Sequence, residues 1–151
     1  MTDPLAVAYA YLNTRERTVA EVRRKLSDAG VEPDAVEPAI AELREQSYLD
    51  DARFARLFVQ DKRQLEGWGN ERVEEGLRRR GIDRELISAA LTDEDGGELE
   101  RALDVLRRRF PHPPRTRRDR DRALGVILRK GYDAELALEA LAIHARESPA
   151  A

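Results

Sequence analysis

The 151-residue sequence contains no cysteine, and this absence excludes a disulfide framework and thiol catalysis. Aromatic residues are few, at 5% of the chain. No apolar run approaches the roughly 18 residues that a membrane-spanning helix needs. Residues 1–11 have no basic segment ahead of their apolar residues, so we expect no signal peptide. The sequence therefore predicts a cytoplasmic protein with no membrane partner.

Motifs for catalysis and for nucleotide binding are also missing. The two histidines, His112 and His144, do not have the spacing of metal ligands. No glycine-rich phosphate loop and no dinucleotide-binding fingerprint occurs. Adjacent Asp50 and Asp51 could form a carboxylate pair, but they lie at an expected helix start, where capping explains them. We expect no metal, no cofactor and no catalytic site, and an enzyme is the least supported class.

Charged residues are abundant, at 38% of the chain, against about 25% in a typical globular protein. The net charge is −3, but it is unevenly distributed: residues 1–50 and 51–100 each carry −4, and residues 101–151 carry +5. Long charged faces over a thin aliphatic core favour amphipathic helices. The asymmetry indicates faces for partners of opposite sign, and the alternative is that the charges only solvate the helices.

A threefold repeat organises the chain. Gly30, Gly81 and Gly131 lie 51 and 50 residues apart, and apolar residues precede each of them by eight and four positions. These residues are Val22 and Leu26, Val73 and Leu77, and Ala123 and Ile127. Residues four apart share one face of a helix, and glycine ends a helix because it enters the left-handed conformation cheaply. The apolar residue after each glycine is expected to pack back on the helix end.

Another helical segment precedes each of these glycine-centred pairs. The three segments are residues 5–13, 51–64 and 98–110. The sequence therefore predicts an all-α fold of three tandem three-helix repeats, forming an elongated, curved array. The predicted repeats are residues 1–50, 51–94 and 95–147, with residues 93–97 as the clearest linker.

Helix starts can be predicted at several positions. Thr18 with Glu21 indicates a capping box, and Asn70 is a candidate cap in the second repeat. Pro33 suits a first helical turn. Pro38 should either kink its helix or make that helix begin after Pro33.

Basic clusters near the repeat glycines are the first candidate binding residues. Cations near a helix C-terminus interact favourably with the helix dipole, which accounts for one such residue per helix but not for three. A denser segment follows: residues 101–132 carry a net charge of +8, with Asp119 and Asp121 as candidate surface partners. Trp68 could be an interface anchor or could cap a hydrophobic end. The predicted partner-binding residues are Arg23, Arg24, Lys25, Trp68, Arg78, Arg79, Arg80, Arg107, Arg108, Arg109, Arg115, Arg117, Arg118, Arg129 and Lys130.

A family resemblance rests on two segments. Residues 48–55 read YLDDARFA, and residues 67–73 read GWGNERV ahead of Leu77 and Gly81. Both resemble the signature segments of the RecX family, although Ser47 stands where a glycine is common. The resemblance extends over about residues 5–145.

The resemblance implies a regulator of RecA that binds in the groove of the RecA–DNA filament. Such proteins suppress ATP hydrolysis, coprotease activity and strand exchange, which connects them to recombination, DNA repair and the SOS response. The implied partner is the RecA filament, with DNA in the filament as a further candidate, and we expect a monomer. A direct DNA-binding module resembling a helix-turn-helix is the rival interpretation, and a scaffold for another partner is a third. Capping of filament ends and coating of the groove both stay open.

Overall fold

The computed structural model describes residues 2–92 and 97–147, and all regular structure in these ranges is helical. The α-helices are α1 (Pro4–Leu12), α2 (Val19–Asp28), α3 (Pro33–Glu45), α4 (Asp51–Asp61), α5 (Asn70–Arg79), α6 (Arg84–Leu91), α7 (Gly97–Arg109), α8 (Arg117–Lys130) and α9 (Ala134–Arg146). A π-helical turn, Lys62–Glu66, follows α4 directly. The predicted all-α class is confirmed. Of the predicted linker, residues 93–96 lie outside the described residues and Gly97 begins α7.

The repeat alignment coincides with the buried positions. All six apolar residues aligned before the repeat glycines are fully buried. The glycines have φ angles of +82°, +81° and +102°, as a left-handed helix end requires. After each glycine, the next N–H donates to a carbonyl five residues back: Val31 to Leu26, Ile82 to Leu77 and Tyr132 to Ile127. These bonds turn the apolar residue back onto its helix, as predicted.

The first repeat has the helix starts that the sequence predicts. The capping box is complete, with Thr18 and Glu21 each accepting from the other's backbone N–H. Pro33 opens α3, and the helix continues through Pro38. The alternative that α3 begins after Pro33 is therefore wrong. Val36, Ile40 and Leu43 are buried on one face of α3, which holds the helix together across the hydrogen bond that Pro38 cannot make.

The predicted Asn70 cap is also wrong. Gly69 holds the cap position, because its carbonyl accepts from the N–H of Val73. Asn70 is the first residue of α5, its side-chain oxygen accepts from Arg63 and its N–H donates to Glu98. The chain enters α5 one residue earlier than the pattern indicates.

Two compact units make up the chain. The first unit comprises the residues up to Phe58 together with Gly76–Ala90, and the second comprises Val59–Glu75 together with the residues from Leu91 onward. Both units take residues from the middle repeat, and the predicted repeat boundaries stay a prediction. The hydrophobic core of the first unit includes Ala8, Val22, Leu26, Val31, Val36, Ala39, Ile40, Leu43 and Leu49. That of the second is formed by Ala102, Leu103, Leu106, Ala123, Ile127, Tyr132, Ala137 and Ala140. Across the described ranges, no helix combines the length and hydropathy needed to cross a bilayer.

Candidate binding surfaces

A basic depression in the first unit brings two of the predicted clusters together. It has a volume of about 340 Å³ and lies between α2, α5 and the end of α1. We call it the α2–α5 depression. Its lining residues are Tyr11, Glu21, Arg24, Lys25, Asp28, Arg79 and Arg80. Four cations face two carboxylates there, so the depression has a net positive charge and suits an anionic partner.

The carboxylates of the depression are largely engaged within α2. Glu21 accepts from the N–H of Thr18 at 2.9 Å as part of the capping box. Asp28 lies 3.9 Å from Arg24, on a strongly exposed part of the helix where such a pair contributes little. Neither carboxylate therefore offsets the positive charge of the depression fully.

Aromatic rings contact two of the four cations of the depression, Lys25 and Arg80. The guanidinium carbon of Arg17 lies 3.9 Å from the ring centroid of Tyr11, and the Lys25 ammonium lies 5.3 Å from the same centroid. Arg80 lies 4.8 Å from the ring centroid of Phe58 and donates to the carbonyl of Gly76. Cation–π contacts position a charge without neutralising it. Lys25 and Arg80 are therefore positioned before a partner binds.

Arg23 and Arg78, from the same predicted clusters, lie elsewhere. Arg23 donates two hydrogen bonds of 2.8 Å to Glu37. These bonds lower the pKa of Glu37 and raise that of Arg23. Arg78 is exposed on α5 and is not among the residues that line the depression. Arg23 thus links α2 to α3, and its charge is balanced within the first repeat.

The same kind of junction between successive repeats occurs in both units. In the first unit, the buried Thr18 hydroxyl donates to the carbonyl of Arg80 at 2.7 Å. In the second, the N–H of Gly69 donates to the carbonyl of Lys130 at 2.8 Å. The start of α2 is thus hydrogen-bonded to the end of α5, and the start of α5 is hydrogen-bonded to the end of α8. These junctions fix the basic residues that precede Gly81 and Gly131.

Steric contacts at the junctions explain why glycine is needed at both helix ends. A Cβ at Gly81 would overlap the side chain of Ala20, and one at Gly131 would lie 2.6 Å from the backbone nitrogen of Arg72. Gly30 occupies the equivalent position in the first repeat, and nothing lies within 4 Å of a Cβ built there. Glycine is therefore required for close approach at two of the repeats and for backbone conformation alone at the other.

Arg107, at the end of α7, is balanced by carboxylates in the second unit. It donates to Glu147 at 2.6 Å and lies 3.6 Å from Glu100 and 3.5 Å from Asp104. The bond to Arg107 lowers the pKa of Glu147 and raises that of the arginine. Arg107 therefore contributes little free charge to a partner.

Its neighbours in sequence border a separate cavity of about 260 Å³. The lining residues of this cavity are Leu65, Glu66, Gly67, Val105, Arg108, Arg109 and Lys130. The Lys130 ammonium donates to the carbonyl of Glu66 at 2.7 Å. Three of the predicted binding residues thus meet at one surface beside the π-helical turn.

The start of α8 is a further basic segment. Arg115, Arg117 and Arg118 are exposed, and the last two occupy the first turn of the helix. Cations there oppose the helix dipole, so this placement does not stabilise the fold. Neither Asp119 nor Asp121 forms an ion pair within 4 Å in the part of the chain that the structure describes. The charge of this segment is therefore available to a partner.

Arg129 lies at the other end of α8. Its side chain is exposed, and its carbonyl accepts from Arg72 at 3.1 Å. The backbone of Arg129 thus belongs to the junction in the second unit, while its guanidinium lies against Gly125, where a built Cβ would be 3.0 Å from Nη1.

Trp68 is half-buried, and its ring contacts two cations. Its ring centroid lies 4.1 Å from the guanidinium carbon of Arg72 and 4.7 Å from the ammonium of Lys62. Its role in binding stays a prediction.

Leu65 is the surface residue that the sequence analysis missed. Its side chain is 79% exposed on the π-helical turn, beside the cavity of the second unit. It stands alone as an apolar residue in the polar stretch of residues 60–67. This isolation could have drawn attention to Leu65 in the sequence. Helical periodicity could not predict its exposure, because a π turn changes the register of the helix.

Asp50 and Asp51 have structural roles. Asp50 caps α4 by accepting from the N–H of Arg53 at 3.0 Å. Asp51 accepts from the N–H of Val19 at 2.9 Å, which links the starts of α4 and α2, and burial raises its pKa. Within residues 2–92 and 97–147, no three His, Cys, Asp or Glu side chains are arranged to hold a metal ion. The capping interpretation of this pair therefore accounts for the contacts.

The fold and these surfaces define a small all-helical protein built from three-helix repeats. Comparisons with known proteins agree. Residues 5–43 match the family described as "RecX, first three-helix domain", and residues 50–91 match "RecX, second three-helix domain". The chain belongs to the RecX family of regulatory proteins.

Two curated relatives support this membership, and two crystal structures share the fold. The chain is 36% identical to the regulatory protein RecX of Stenotrophomonas maltophilia strain R551-3, over 87% of this chain and 81% of that one. It is 34% identical to RecX of Xanthomonas campestris pv. campestris strain B100, over 86% and 80%. The crystal structure of RecX from Lactobacillus salivarius has a TM-score of 0.77 at 22% identity, covering 93% of both chains. A second RecX crystal structure has a TM-score of 0.72 at 27% identity, covering 91% of this chain and 71% of that one.

Proposed function

We propose that this chain binds RecA filaments on DNA and inhibits their ATPase, strand-exchange and coprotease activities. Membership of the RecX family is the observation that carries the proposal, since the resemblance to this family implies a regulator of RecA. The proposed role agrees with a cytoplasmic location and a monomeric chain, and both of these stay predictions.

The surfaces support a mechanism of binding. The α2–α5 depression offers Arg24, Lys25, Arg79 and Arg80, and the start of α8 offers exposed arginines. Acidic patches on RecA and phosphates in the filament are the complementary groups. A chain in contact with neighbouring RecA subunits would hinder both the movements that accompany ATP turnover and the entry of duplex DNA. This mechanism requires no catalytic reaction by the chain itself.

Direct DNA binding is the second candidate function, favoured by the exposed arginines in the first turn of α8. Phosphate contacts release counterions, so binding to free DNA should weaken steeply as salt rises. If the affinity for DNA without RecA equals the affinity for the filament, the second candidate is preferred. If DNA binding is weak and filament binding is strong, RecA supplies the main contacts.

The experiment that tests the first candidate is the single-stranded-DNA-dependent ATPase of the cognate RecA, titrated with this chain. Inhibition at or below one chain per RecA monomer supports the proposal, and no inhibition by a folded chain contradicts it. The combined variant Arg24→Glu, Lys25→Glu and Arg79→Glu should raise the half-inhibitory concentration by about tenfold or more. Arg56→Glu is the matched control, because Arg56 is exposed on α4 and lies outside the depression.

A further inference from the structure

The π-helical turn presents one apolar side chain to solvent in a defined position. Leu65 is 79% exposed, the most exposed of the large hydrophobic residues in the described ranges. Single exposed leucines are ordinary on protein surfaces, so exposure alone carries no argument. A π-helical turn is uncommon, however, and such turns often occur at functional sites.

Hydrogen bonds hold the backbone on the C-terminal side of Leu65. The carbonyl of Glu66 accepts from the Lys130 ammonium at 2.7 Å, and that of Gly67 accepts from the buried Tyr132 hydroxyl at 2.9 Å. Gly67 has a φ of +67°, and a Cβ there would lie 2.9 Å from Cγ2 of Val105. The turn is thus fixed before any partner binds, which lowers the entropic cost of binding.

Positive charge surrounds the leucine. Arg108, Arg109 and Lys130 line the adjoining cavity of about 260 Å³, and Glu66 is the acidic residue in that lining. Arg108 and Arg109 are exposed, and no ion pair joins either of them to a carboxylate in the part of the chain that the structure describes. We call Leu65, Arg108, Arg109 and Lys130 the Leu65 patch.

We propose that the Leu65 patch binds an acidic protein segment that carries one apolar side chain, with that side chain packed on Leu65 and its flanking carboxylates on the three cations. The pairing follows from charge complementarity around an apolar centre. Nucleic acid fits less well, because a phosphate backbone offers nothing apolar to Leu65. The neighbouring Trp68 ring, which could stack on a base, already contacts Lys62 and Arg72.

The inference rests on the proposed function in one respect, since it assigns the acidic segment to RecA. The recognition chemistry can be tested without RecA. Trp68 is the only tryptophan of the chain and is joined to the turn through Gly67, so its fluorescence reports on the patch.

The first experiment titrates the full chain with a synthetic acidic peptide of aspartate and glutamate that has one central leucine. The same peptide with alanine in place of leucine and a thymidine oligonucleotide are the other probes. The leucine peptide should bind about tenfold more tightly than the alanine peptide, and Leu65→Ala should remove this difference. Leu138→Ala, at another exposed leucine in α9, should leave it unchanged. Since both leucines are exposed, circular dichroism and thermal unfolding should show both variants folded.

Each contrary outcome overturns the inference. It fails if the leucine peptide does not bind, if the two peptides bind equally, or if Leu65→Ala binds the leucine peptide as the unmodified chain does. An oligonucleotide that binds more tightly than the leucine peptide, and displaces it, would assign the patch to nucleic acid instead.

The second experiment separates this inference from the proposed function. Where the unmodified chain inhibits the RecA ATPase, Leu65→Ala should raise the half-inhibitory concentration by about tenfold. Equal inhibition by Leu65→Ala would overturn the assignment of the patch to RecA and leave the proposed function intact. If the chain binds the peptide through Leu65 but has no effect on RecA, the proposed function is contradicted. The recognition chemistry of the patch is then still supported.

Discussion

The hydroxyl of Thr18 donates a hydrogen bond of 2.7 Å to the carbonyl of Arg80, 62 residues away in the chain. The same oxygen accepts from the N–H of Glu21 at 3.1 Å. One buried side chain therefore caps the start of α2 and satisfies a carbonyl at the end of α5. Because the α2–α5 depression lies between these two helices, this bond also helps to position the depression.

Replacing Thr18 by valine tests this double role. Thr18→Val keeps the shape of the side chain but removes the cap and leaves a buried carbonyl without its donor. We expect a loss of about 2–3 kcal/mol in the free energy of unfolding. Thr18→Ser retains the hydroxyl and should lose much less. Urea unfolding monitored by circular dichroism measures both, and equal losses would show that the hydroxyl is not what matters.

The repeat glycines offer a matched pair of substitutions. Gly30 and Gly81 have nearly the same φ, so alanine at either position has a similar conformational cost of about 1–2 kcal/mol. Only Gly81 has Ala20 against it, so Gly81→Ala should cost about 1–3 kcal/mol more than Gly30→Ala. The difference between the two variants in urea unfolding isolates the close approach. Similar losses at both positions would contradict the tight junction.

Tyr132 should make stability depend on pH in the alkaline range. Its hydroxyl donates to the carbonyl of Gly67, and burial raises the pKa of Tyr132 to about 12, against about 10 in an unfolded chain. The folded state favours the protonated form. Its contribution is therefore complete below pH of about 10 and is lost as the pH rises through about 12.

The measurement compares Tyr132→Phe with the unmodified chain. At neutral pH the variant should lose about 1 kcal/mol, since only the hydrogen bond is removed. As the pH rises above about 10, the two unfolding free energies should converge and then cross, because phenylalanine has no proton to lose. A constant difference across the alkaline range would show that the buried hydroxyl does not titrate as the structure indicates.

Local patterns in the sequence predicted much of the fold. Gly81 and Gly131 end helices because of their own backbone freedom, and Thr18 with Glu21 caps α2 through residues three positions apart. Interactions between residues only a few positions apart can be recognised from the sequence alone. The position of Asn70 was the local exception, because the chain enters α5 through Gly69.

The availability of the basic residues could not be predicted in the same way. Arg23 and Arg107 look like their neighbours in the sequence, yet each is balanced by a carboxylate 14 or 40 residues away. Tertiary packing determines these ion pairs, and the composition of a basic cluster does not show which of its residues will form them. The exposure of Leu65 was hidden for a related reason, since a π-helical turn breaks the periodicity by which buried and exposed positions are distinguished.

Gly30 stands where a further repeat would attach. At Gly81 and Gly131 the equivalent position receives the start of the preceding repeat's helix, and at Gly30 that space is open. The left-handed φ of Gly30 matches that of Gly81, so this helix end already has the backbone geometry of an occupied junction. We expect a copy of the repeat fused ahead of residue 1, with a small residue aligned with Ala20, to pack against Gly30. This end is therefore suited to lengthening the protein by design.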